Sequence, residues 1–148
     1  MKSLNPEGIT DAQLKEMLQA TKNIAVIGLS PDASSESYRA GEYLKNAGYN
    51  IIPVTVHAHK ILDEKCHHEL NSIQDPVDIV YYFPHPDEVI QKVTEEVEQL
   101  TEQAKLMGVN TLWLHEKTRC DKAAEKAAQS GLTVVQDASL PDVHARVA

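Results

Sequence analysis

The chain has 148 residues, 42% hydrophobic and 24% charged, an ordinary balance for a single globular domain with a proper core. Its 22 acidic side chains outnumber 14 basic ones, for a formal charge of −8, and with no basic cluster this argues against nucleic acid, which is held largely by Lys and Arg on phosphates. No stretch approaches the roughly 20 apolar residues of a membrane span, and "MKSLNPEGIT" has no apolar signal region, so a cytoplasmic protein without a membrane partner is expected.

A first helix reads from Asp11 to Ala20, behind a capping box of Thr10 and Gln13. Its apolar stripe is Leu14, Met17 and Leu18. "NIAVIGLS" is a continuous apolar run that stops at Gly28, as a buried strand does. Glu36 to Asn46 has helical spacing, with Ala40, Tyr43, Leu44 and Ala47 on one face and Gly48 as its stop. "YNIIPVTV" and "VDIVYYF" are the second and third strands. Pro86 opens a long helix over residues 86–108, with an acidic first turn and Val89, Val93, Val97, Leu100 and Ala104 along one face. "NTLWLH" is a fourth strand. A helix over 120–130 turns Ala123, Ala124, Ala127 and Ala128 inward and ends at Gly131. "LTVVQD" is a fifth strand, and the tail from Leu140 adds a short helix.

Strands alternating with helices predict an α/β fold, a Rossmann-like three-layer domain with a five-stranded parallel sheet. The expected order is 3-2-1-4-5. In such sheets ligands sit beyond the carboxyl ends of the strands. That edge gathers residues 28–30, 55–57, 83–85, 115–117 and 137–139.

The loop "GLSPDASSESYR" holds the chemistry most easily read. Gly28 lets a ligand or the next helix approach the backbone closely. Ser30, Ser34, Ser35 and Ser37 offer hydroxyls, the helix start favours an anion, and Arg39 is one turn inside the helix, within reach of a phosphate. These residues fit a phosphate or pyrophosphate site, and equally an ordinary strand-to-helix turn with a serine cap. NAD is the poorer occupant. Two glycines of G-x-G-x-x-G are replaced, and "PVTVHAH" carries no acidic residue for the ribose.

"IGLSP", "SYRAGEYLKNAGY" and "NIIPV", followed by "ILDEK", "DPVDIV", "TLWLH" and "GLTVV", resemble the small CoA-binding proteins built on one Rossmann-like domain, related to the CoA-binding domain of succinyl-CoA synthetase. The resemblance runs over residues 14–144, and the first block is its specific part. It implies CoA or an acyl-CoA as a small-molecule nucleotide ligand, with the pyrophosphate over Gly28, Leu29 and Ser30. Ser37, Tyr38 and Arg39 match the motif, and Pro53 and Val54 match the strand end that borders the adenosine. It implies no reaction for the stand-alone domain. Departures fall at Ser35 and Glu36, where the family often has Arg-Pro, and at Thr55 and Val56, where it tends to have Asn-Pro. His115, Glu116 and Lys117 stand in place of Gln and a glycine, and Ala138 and Ser139 in place of Arg-Cys.

"HAHKILDEKCHH" groups His57, His59, Cys66, His67 and His68. These are zinc ligand types, but the spacing matches no zinc motif, and no metal is expected. Cys66 and Cys120 are expected to be free thiols. Two other functions remain. One is an enzyme acting on a phosphorylated or thioester substrate through His85, His115 and Asp137, with Asp142 and His144 in the tail. The other is a ligand-free protein-interaction domain. A homodimer suits a domain of this size, though no residue specifies it.

Overall fold

The computed structural model describes residues 9–84 and 89–148. Helix α1 (Asp11–Ala20) begins at the expected capping box. The Thr10 hydroxyl accepts from the Gln13 amide at 3.1 Å, and the Gln13 side chain accepts from the Thr10 amide at 2.8 Å, so two otherwise unpaired helix-start amides are satisfied. Strand β1 (Asn23–Ile27) follows, then α2 (Glu36–Asn46) and β2 (Asn50–Val54). A two-residue hairpin, β3 (Lys60–Ile61) and β4 (Glu64–Lys65), and a 3-10 turn (Leu70–Ser72) precede β5 (Ile79–Tyr82). The remainder is α3 (Ile90–Met107), β6 (Thr111–Leu114), α4 (Asp121–Gln129), β7 (Thr133–Val135) and α5 (Leu140–Val147). Pro86 and the acidic first turn expected of the long helix lie outside the described residues.

All five long strands are parallel, in the order β2-β1-β5-β6-β7. The five-stranded parallel sheet is therefore as expected, and the order is not. The third strand of the sequence pairs with β1, not with β2, giving 2-1-3-4-5. The reason is the face taken by each connection. Helix α2 packs Ala40 and Leu44 on one face of the sheet, whereas Leu70, Ile73 and Val77, between β2 and β5, pack on the other. Crossovers between parallel strands keep a right hand. A connection that changes face therefore travels in the opposite direction, which carries β5 past β1. Between β2 and β5 the described chain has no α-helix, so helix periodicity offers no cue to this reversal.

Side chains alternate across the sheet. Ile24, Val26, Ile51, Tyr81, Trp113 and Val135 face α1, α2 and α5. Ala25, Val54, Val80, Tyr82, Leu112 and Val134 face α3 and α4. Three helical faces are narrower than the spacing predicts. Val89 is 66% exposed because it is the extended cap of α3, not a residue of its first turn. Ala128 is exposed, one step around α4 from the buried Ala127. On α2 the buried stripe is Ala40, Gly41 and Leu44, while Tyr43 and Ala47 face outward. Among the described residues no helix is long and apolar enough to cross a membrane.

Candidate functional site: the carboxyl edge of the sheet

The order 2-1-3-4-5 places the reversal between β1 and β5, so the loops after these two strands flank the crevice where such folds hold ligands. Gly28 is fixed between neighbours. Its N–H donates to the Val54 carbonyl at 3.0 Å, and the Phe83 N–H donates to the Ile27 carbonyl at 3.0 Å. Gly28 has φ +82°, and a Cβ added there would strike the Phe83 carbonyl oxygen. The close approach that requires glycine is thus made by the end of β5.

Beyond Gly28 the loop is tied by its own serines. Leu29 is buried in the core, so its side chain packs under the loop. The Ser30 N–H donates to the buried Ser37 hydroxyl at 3.0 Å, which draws the loop onto α2. The Ser30 hydroxyl accepts from the Asp32 N–H at 3.1 Å. The Ser34 N–H and hydroxyl both donate to the Asp32 carboxylate, at 2.9 and 2.7 Å, and hold its pKa below the ordinary value. Ser35 caps α2 by accepting from the Tyr38 N–H at 3.1 Å. Arg39 is exposed one turn further on, its Nε donating to the Ser35 carbonyl at 3.4 Å. Among the described residues Arg39 makes no ion pair with a carboxylate.

Opposite this loop stands a polar chain that the sequence did not reveal. His115, at the end of β6, is 5% exposed. Its Nε2 lies 2.5 Å from the Glu36 carboxylate and its Nδ1 2.6 Å from the Tyr81 hydroxyl. The Phe83 ring packs on the imidazole, with centroids 4.2 Å apart and planes 32° apart. The Tyr81 oxygen also accepts from the Leu140 N–H at 3.1 Å. Burial holds the Tyr81 phenol protonated far above its ordinary range, reinforced by the negative charges of Glu36 and Glu116. A phenol that donates to Nδ1, with Nε2–H donating to Glu36, satisfies both ring nitrogens of a neutral imidazole. Glu36 and His115 are two of the positions that depart from the family pattern, and they are partners. The available signal was that both fall on loops of the same sheet edge.

Other expected residues scatter. Pro53 and Val54 are buried at the end of β2. Thr55 is buried and accepts from the His57 N–H at 3.1 Å, while Val56 is exposed. Asp137 is engaged structurally, accepting from the Lys117 N–H at 2.7 Å. Ala138 is core, its carbonyl accepting from the Trp113 indole at 3.0 Å. His144 hydrogen-bonds Tyr43 at 2.9 Å, and the Asp142 N–H donates to Ser139. No triad joins these groups to His115 among the described residues, and His85 lies outside them. The set from His57 to His68 does not converge either: His67 bonds Ser72 at 3.2 Å, and Cys66 is buried, its thiol pushed up by desolvation.

A cleft of about 480 Å³ opens at the opposite end of the sheet, beside Glu16, Thr21, Asp78, Asn110, Thr111 and Thr133. It carries two carboxylates and lies at the amino ends of the strands. An anion is served better at the other edge, where α2 begins.

A parallel sheet with a glycine-initiated loop and a capped helix start at its reversal point defines a Rossmann-like nucleotide-binding class. Within that class the chain belongs to the CoA binding domain family, whose model matches residues 22–144. It is 29% identical over 134 residues to the uncharacterized protein YneT of Bacillus subtilis, covering 90% of this chain and 93% of that one. A hypothetical protein from Pyrococcus horikoshii has a similar structure, with a TM-score of 0.87 at 26% identity over 99% of this chain and 98% of that one. A dinucleotide-forming acetyl-coenzyme A synthetase from Ca. Korarchaeum cryptofilum shares the fold over 80% of this chain and 26% of its own, with a TM-score of 0.63 at 20% identity.

Proposed function

We propose that this protein binds CoA or an acyl-CoA at the loop joining β1 to α2, as a cytoplasmic binding protein without catalysis of its own. The observation that carries this reading is the family match across residues 22–144. In this reading the pyrophosphate lies over the backbone of Gly28, Leu29 and Ser30, near the positive end of α2. Arg39 turns its guanidinium from the helix surface onto a phosphate. Ser37 and Tyr38 shape the site, Ser37 by holding the Ser30 amide in place. Pro53 and Val54 border the adenosine. NAD fits less well, because the residues after β2, Thr55 and Val56, offer no carboxylate to a ribose.

Calorimetric titration of the purified protein with CoA, and separately with NAD, tests the proposal. CoA is expected to bind more tightly than NAD. Arg39→Ala is expected to cost about 1.5–3 kcal/mol of CoA binding, the range for a hydrogen bond to a charged group, with little change in the unliganded melt. Absence of CoA binding, or tighter binding of NAD, overturns the reading.

A further inference from the structure

Glu36, His115 and Glu116 bring one donor atom each to a single small region, all within 4.8 Å of one another. Glu36 opens α2, while His115 and Glu116 follow β6. We propose that they form a binding site for one divalent first-row transition ion, of the zinc or manganese kind.

The donor set is the first reason. One imidazole and two carboxylates suit zinc, manganese or iron(II), whereas calcium and magnesium favour oxygen alone. The second is orientation. His115 is buried and its ring is fixed, by Phe83 on its face and Tyr81 at Nδ1, with Nε2 turned toward Glu36. A ligating imidazole needs such a partner on its other nitrogen. The third is charge. Glu36 and Glu116 point two carboxylates at one place, and a divalent ion removes their repulsion.

Binding replaces the proton now held between Glu36 and His115. Metal bonds of about 2.0–2.2 Å to each ligand require the 2.5 Å separation of Nε2 and Oε1 to widen. Glu36 can withdraw, because its side chain is 62% exposed. The imidazole changes tautomer. Nε2 gives up its proton, Nδ1 carries one and donates it to the Tyr81 oxygen, and the Tyr81 hydroxyl hydrogen rotates away from the ring.

The test is calorimetric titration of zinc chloride into the CoA-free protein, so its outcome is independent of the nucleotide reading. Glu36→Gln and Glu116→Gln are the variants. Gln at 36 keeps an acceptor for His115, and melts of each variant verify the fold. A His57→Gln, His59→Gln double variant controls for the histidine-rich loop. One equivalent of zinc is expected. Each Glu variant is expected to lose at least about tenfold in affinity, the lower end of what even indirect partners of a metal cost, and the loop variant is expected to match the wild type. No zinc binding, or binding unaffected by either Glu variant, overturns the proposal.

Discussion

At the scale of single residues, the carboxyl edge separates groups that build the loop from groups left to meet a ligand. Gly28 belongs to the first kind. Its positive φ and its contact with the Phe83 carbonyl make even a methyl group costly. Gly28→Ala is expected to lower stability by more than about 1 kcal/mol, measured in denaturant without ligand. From the sequence, Gly28 serves the close approach of a ligand or of the next helix. The geometry moves that cost to folding. Arg39 is the cleaner probe, because it is exposed and carries no core contact. Tyr81 carries a different load. Tyr81→Phe removes the acceptor of the Leu140 N–H and the hydrogen-bond partner of His115 Nδ1. Leaving buried polar groups unpaired costs about 1–3 kcal/mol. A chemical-denaturation midpoint equal to wild type would show that the chain Glu36–His115–Tyr81 contributes nothing to the fold.

At the scale of elements, local chemistry set most boundaries. The ends of α1 and α2 follow from Thr10, Gln13 and the Ser35 cap, all legible from side chains next to the helix. Thr10→Ala breaks the capping box and is expected to cost about 1 kcal/mol, read as a lower melting temperature with unchanged helix content at 25 °C. An unchanged melting temperature would mean that α1 is held by Leu14 and Leu18 alone. Which strands neighbour each other was less legible. That depends on the face chosen by residues 55–78, and the choice is made by Leu70, Ile73 and Val77 packing under β5. The hairpin between them was likewise hidden, because its turn uses Leu62 and Asp63 at positive φ, where glycine or asparagine is the usual cue. It lies over α2 at Gly41, where a Cβ would sit 3.1 Å from Leu62 and 3.2 Å from Leu29.

At the scale of the whole molecule, the fold class and the carboxyl edge of the sheet were readable because the apolar runs alternate with helical periods and end at Gly28, Phe83 and His115. The pairing of Glu36 with His115 was not, since it joins positions 79 residues apart with no spacing rule between them. In the proposed function the nucleotide lies at this edge and not in the cleft beside Asp78 and Thr133. Mapping backbone amide shifts by NMR during a CoA titration tests that most directly. The largest shifts are expected at Gly28, Leu29, Ser30, Tyr38 and Arg39. Largest shifts at Thr21, Asn110, Thr111 and Thr133, with the loop after β1 unmoved, would contradict it.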